Sequence, residues 1–190
     1  YPIVGSIRAE RLARAFVDAG HDVHVLTARL PDETEPIRSH GPGPTVEAVR
    51  TWLHPKYLYR WARDRLKGNP GGTEGSRASP RFVVQERWQP PERTPSWKRY
   101  ILSLLHVPDE LQGFIPNAFY RGTQAFPGGP DLIYTTSPPN SAHVAAWAIQ
   151  AATGARWVAE FRDPWVDNAA RDVRGSLRSP PADALNRWLE

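Results

Sequence analysis

The 190-residue chain predicts an α/β fold: a Rossmann-like open parallel sheet with helices on both faces and its first strand missing. Three observations lead there. Residues 6–27 read as helix, glycine, strand, the second half of a βαβ unit. Residues 131–161 read as strand, helix, strand in about 30 residues, the usual length of a parallel crossover. The apolar pattern switches between helical and strand period within each unit.

Each element has its own local cause. Ala9, Leu12, Ala13 and Phe16 form one apolar face of a helix from Ser6 to Ala19. Gly20 suits the left-handed position that ends it. His21 to Thr27 then alternates into a short strand. The strand expected ahead of Gly5 is not in the sequence. Residues 31–95 read as a variable, loop-rich insertion, dense in Pro, Gly, Ser and Thr at 31–45 and 68–80. Within it, 53–67 fits a basic helix and Phe82-Val83-Val84 a short strand. Trp97, Tyr100, Ile101, Leu104 and Leu105 give a clear helical stripe, stopped by Pro108. Phe119, Gly122, Thr123 and Phe126 suggest a helix after Pro116, broken at Pro127-Gly128-Gly129-Pro130.

Leu132 to Thr136 is the next strand, and Pro138-Pro139-Asn140-Ser141 is a turn with helix-capping chemistry. Val144, Trp147, Ala148 and Ala151 stripe the following helix, Gly154 closes it, and Trp157 to Phe161 is a strand. Ser179-Pro180-Pro181 opens a last helix, striped by Leu185, Trp188 and Leu189 and cut off at Glu190. With no initiating methionine, the chain reads as a fragment, one partial domain over 1–190.

Composition narrows the function. There is no cysteine, which excludes disulfide scaffolds, thiolate metal sites and cysteine nucleophiles. No apolar run reaches the roughly 20 residues of a membrane span, so a cytoplasmic location is expected. Lys56, Lys67 and Lys98 are the only lysines among 24 basic residues, leaving 21 arginines. Arginine grips phosphate and carboxylate through a planar fork, although coding bias produces the same richness. The basic residues are dispersed and no nucleic-acid motif occurs, so nucleic acid is not an expected partner.

Open parallel sheets bind ligands at the carboxyl ends of their strands. Three loops lie there. In Val4-Gly5-Ser6-Ile7-Arg8, glycine admits close backbone approach, the helix start favours an anion, and Arg8 adds charge. The alternative is a plain tight turn, and without G-x-G-x-x-G a nicotinamide dehydrogenase is disfavoured. The second loop carries Ser137, Asn140, Ser141 and His143, suited to a sugar or phosphate, or else to capping with His143 on the surface. The third, Glu160 to Asn168, carries Arg162, Asp163, Pro164 and Trp165. A carboxylate beside a tryptophan plate suits carbohydrate; the alternative is internal pairing, with Trp165 packed on the sheet edge.

Gly5 to Arg8, Arg11-Leu12-Ala13 and Gly20 to Thr27 together resemble the opening of glycosyltransferase family 4-like N-terminal domains. Pro130 to Pro139, Pro108-Asp109 with Gly113 to Pro116, and Phe161-Arg162-Asp163-Pro164-Trp165 resemble further stretches of a bacterial branch. The resemblance leaves about 31–95 unmatched. It implies the acceptor-side half of a GT-B fold, whose C-terminal donor domain is absent here. It implies sugar transfer with retention, from a nucleotide-sugar donor to a glycan or lipid-linked acceptor, in bacterial glycan, polysaccharide or glycolipid synthesis. No metal or cofactor is implied, and the fragment is expected to be inactive alone.

By that resemblance Gly5 approaches the donor phosphates and Arg162 with Asp163 faces the acceptor. From their place and chemistry, Ser6 and Arg8 are expected to join Gly5 on the donor phosphate, Asp163 is expected to be catalytic by orienting the acceptor hydroxyl or taking its proton, and Ser137, Asn140, His143, Arg162 and Trp165 are expected to bind acceptor. Many family members carry a histidine where this chain has Thr136-Ser137. The basic, aromatic stretch 56–67 fits peripheral contact with the inner face of the plasma membrane, or a solvated helix over the core. The rival function is a non-catalytic sugar- or nucleotide-binding module of the same fold.

Overall fold

The computed structural model describes residues 4–29, 38–39, 43–52, 62, 65, 96–104, 106–165 and 179–189. Helix α1 spans Val4–Asp18, and strands β1, β2 and β3 span His24–Arg29, Arg38–Ser39 and Thr45–Arg50. Helix α2 is Ser96–Leu104, and a 3-10 turn at Gln112–Phe114 runs into α3, Ile115–Gln124. Strand β4 (Leu132–Ser137), helix α4 (Ser141–Thr153), strand β5 (Arg156–Phe161) and helix α5 (Pro180–Leu189) complete the order. The protein is mixed α/β with parallel strand pairs.

The strand–helix–strand unit at 131–161 forms as its pattern predicts. Strands β4 and β5 pair in parallel, Leu132 opposite Arg156 and Ser137 opposite Phe161. Gly154 ends α4 in the left-handed region at φ 74°, donating its N–H to the Gln150 carbonyl. Gly20 does the same after α1 at φ 88°. Helix α3 begins with Pro116 in its first turn, where a missing N–H costs nothing.

The sequence expectation differs from the structure in the sheet. Strand β3 lies inside the presumed loop insertion and pairs in parallel with β1, His24 opposite Thr45 through Arg29 opposite Arg50. Thr45, Val46 and Val49 are β-branched, and the glycine and proline before them end where the strand begins. The sheet is also divided. The order is β1-β3-β2, with β2 antiparallel, in one part and β4-β5 in the other. No strand among the described residues pairs with the second edge of β1 or of β4.

The helix predicted from the apolar stripe forms as α2, but the stripe is exposed. Trp97 is 62% exposed, and Tyr100, Ile101 and Leu104 are exposed beside it. The inward residue is Ser103, which donates to the Tyr100 carbonyl and meets the Ser179 hydroxyl at 2.6 Å ahead of α5. This polar contact ties α2 to the residue that precedes α5. The predicted elements at 53–61, 63–64, 66–67 and 82–84 lie outside the described residues, as does most of the membrane-contact stretch 56–67. No helix among the described residues is long and apolar enough to cross a membrane.

One core joins the two strand pairs. Val49 of β3, Phe114, Ala118 of α3 and Ala145 of α4 are buried together, with Leu26, Ala28 and Ile115 packed against them. A Cβ on Gly122 would meet the Ile149 side chain at 2.4 Å, with Leu26 beyond, so α3 is wedged between β1 and α4. At the amino ends of β1 and β3, Glu47 lies beside His24 (3.3 Å) and Arg121 (3.0 Å). That polar cluster is at the far end from the strand-end loops.

Candidate functional site at the carboxyl ends of β4 and β5

Strand parity sorts the two faces of the β4–β5 pair. Thr135 and Trp157 face α4: the Trp157 indole N–H donates to Thr135 Oγ1 at 2.9 Å, and Thr135 Oγ1 lies 2.7 Å from His143 Nδ1. Tyr134 and Glu160 occupy the opposite face, where the Tyr134 hydroxyl donates to Glu160 Oε2 at 2.5 Å. Arg8 of α1 forms an ion pair with Glu160 Oε1. The start of α1 therefore meets the end of β5 on the face away from α4. This brings Arg8 to the same corner as Arg162 and Asp163.

The corner is strongly polarised. The Tyr134 hydroxyl, with Arg8 and Arg162 adding their charge, holds the Glu160 carboxyl below the ordinary range. Burial, then the bond to Glu160, raises Tyr134, which stays neutral and remains a donor. Arg162 donates Nε–H to the Ser137 carbonyl at 3.0 Å, tying the corner back to β4. Arg162 and Asp163 are both exposed. From sequence, Glu160 only opens the third loop and carries no assigned role, because one carboxylate at the end of a strand has no local signal that marks it.

Gly5 and Ser6 lie within the first turn of α1, not in a loop ahead of it. A lone glycine disfavours a helix by only about 1 kcal/mol, which the stripe downstream can offset. The expected capping at the second loop is also corrected. Asn140 has helical φ and ψ and makes no side-chain cap. Instead the Asp109 carboxylate, 32 residues away, accepts the Ser141 N–H at 2.8 Å and the Leu111 N–H at 2.8 Å. A carboxylate already neutralises the amino end of α4, so this is not a vacant phosphate site.

The acceptor-side assignments to Ser137, His143 and Trp165 meet a physical objection. All three are at most 2% exposed. Ring centroids of His143 and Phe161 are 4.3 Å apart, and Trp165 stacks on Phe161 at 6.4 Å. The Trp165 indole N–H donates to Asn186 Oδ1 of α5 at 3.1 Å. Trp165 thus packs against the structure and is not an open plate. His143, expected on the surface if it bound nothing, is internal because Phe161, Trp157 and Trp165 cover it. These residues shape the corner from behind; Arg8, Arg162 and Asp163 remain at its surface.

Burial pushes the His143 imidazole below its usual 6.5. The unfolded chain then binds the extra proton first as pH falls. Stability is fully present above about 6.5 and declines as pH drops from there toward the folded value. Urea unfolding midpoints at pH 7.5 and 5.0 should show this loss, and His143→Gln should flatten it. An equal loss in the variant would assign the acid sensitivity elsewhere.

Among the described residues no group of three or more His, Asp or Glu side chains could hold a metal ion. No protein-family model matches this chain, and neither a curated protein nor a solved structure was found similar to it.

Proposed function

We propose that this chain is the acceptor-side half of a retaining glycosyltransferase that moves a sugar from a nucleotide-sugar donor to a glycan or lipid-linked acceptor. The observation that carries the reading is the contact of Arg8 with Glu160, which gathers Arg8, Arg162 and Asp163 at one set of strand ends. The reading needs that meeting, and α1 and β5 on opposite sides of the molecule would have ended it. It also requires one further parallel strand between β1 and β4, leading into α1, to make a single doubly wound sheet.

The chemistry follows from charge. Sugar transfer develops positive charge at the sugar and negative charge on the departing diphosphate. Fixed guanidinium groups stabilise the latter more as the bond breaks than before. Asp163 orients the acceptor hydroxyl and accepts its proton. Gly5 and Ser6, at the amino end of α1, offer backbone N–H groups to the same phosphates. Ser137, His143 and Trp165 support this surface without touching substrate, while Asn140 sits at its margin.

The test is release of nucleoside diphosphate by the full polypeptide from a panel of nucleotide sugars, with and without oligosaccharide and lipid-linked acceptors. Acceptor-dependent release from at least one donor is expected. Binding of a nucleotide sugar with no turnover under any pairing would favour the non-catalytic module instead.

A further inference from the structure

Two arginines at this corner are held in place from different parts of the fold. Arg8 is anchored by the Glu160 carboxylate, which Tyr134 fixes in turn at 2.5 Å. Arg162 is anchored through Nε by the Ser137 carbonyl at 3.0 Å and follows Glu160 by two residues, just past the end of the same strand. The Arg8 side chain is 67% exposed, and Arg162 is exposed as well. A guanidinium carries five N–H donors, so each anchor leaves donors to face solvent. Anchoring also removes much of the side-chain entropy that an ordinary surface arginine loses on gripping a ligand.

The geometry points to Arg8, set by Glu160, and Arg162, set by the Ser137 carbonyl, as the two jaws of one anion site with a diphosphate as the ligand. Glu160 offsets one of the two positive charges and Asp163 directly follows Arg162, so the guanidinium forks, more than net charge, are what the site offers an anion. The amino end of α4 does not compete for this anion, because Asp109 already occupies it. Arg162 thereby moves from the acceptor to the leaving group. Identifying the diphosphate as part of a nucleotide sugar rests on the proposed transfer reaction; the anion site does not.

The experiment is calorimetric titration of the purified protein with inorganic pyrophosphate, with orthophosphate as the shorter probe, at fixed ionic strength. Arg8→Gln and Arg162→Gln should each weaken pyrophosphate binding by at least about tenfold, as loss of a charge-assisted pair does. The double variant should weaken it by clearly less than the product of the two single effects, because both act on one ligand. Orthophosphate, with one phosphate group in place of two, should bind more weakly to the wild type. Arg8→Lys and Arg162→Lys keep the charge and lose the fork, and should remain weakened.

Asp163→Asn should bind pyrophosphate as well as the wild type or more tightly, while losing turnover. Failure of the wild type to bind, or unchanged binding in either arginine-to-glutamine variant, overturns the clamp. Full affinity in both lysine variants reduces it to general surface charge and overturns it as well. Circular dichroism melts accompany each variant; where a glutamine variant unfolds, the lysine variant decides. Normal pyrophosphate binding with no sugar transfer by the full polypeptide would leave the clamp standing and remove the transferase reading.

Discussion

Gly113→Ala is expected to cost the protein at least about 3 kcal/mol of folding stability, the upper part of the range for overpacked interiors. An added Cβ would lie 1.2 Å from the Trp52 carbonyl oxygen and 2.3 Å from its carbon, so backbone itself must move. The same two residues are joined by the Trp52 N–H donating to the Gly113 carbonyl at 2.9 Å. Moving either one breaks that bond, and the next residue, Phe114, is part of the buried cluster that joins the two strand pairs. Urea denaturation gives the measurement. A midpoint shift equivalent to less than about 0.5 kcal/mol, the scale of an ordinary surface change, would show that the two backbones are not in contact. The same turn begins at Asp109, so its displacement should also release the amino end of α4.

Asp163→Asn in the full polypeptide should lower sugar-transfer turnover at least tenfold, the low end of what a positioned general base contributes. The side chain is exposed, and the substitution preserves its size while removing its charge and basicity. Folding stability should therefore change by no more than about 0.5 kcal/mol, so a rate loss could not be ascribed to unfolding. The loss should appear in kcat more than in KM, because the proton is accepted only as the bond forms. Near-wild-type turnover would remove Asp163 from the chemistry. A rise in KM alone would make it an acceptor-holding group.

The corner was partly legible before its geometry was known. Arg8, Arg162 and Asp163 stood out because unusual polar residues followed apolar strands or opened a helix where parallel sheets place ligands. Glu160 did not stand out, because one carboxylate at the end of a strand has no local signature. Its meaning comes from Arg8, 152 positions earlier in the chain, and from Tyr134 on the neighbouring strand. Asp109 was invisible as a cap for a similar reason. Capping rules look one to three residues ahead, and this carboxylate arrives from 32 residues away.

Residues such as His143 and Trp165 allow two readings from sequence. Their chemistry suggested a binding surface, but aromatic and imidazole rings fill interiors as readily as they line clefts. Only the packing of Phe161, Trp157 and α5 around them decides which.

Short-range patterns by themselves determined the βαβ unit at 131–161, the left-handed glycines that end α1 and α4, and the proline-started α3. Each depends on neighbours within about one turn or one strand, where propensity and side-chain period are encoded directly. Tertiary structure alone decided that β3 belongs to a parallel pair and that α2 turns its aromatic stripe outward. It alone decided that α1 crosses to β5 and that Asp109 closes α4. Those outcomes turn on contacts between residues far apart in sequence, whose energies depend on which surfaces remain to be covered once the local elements have formed.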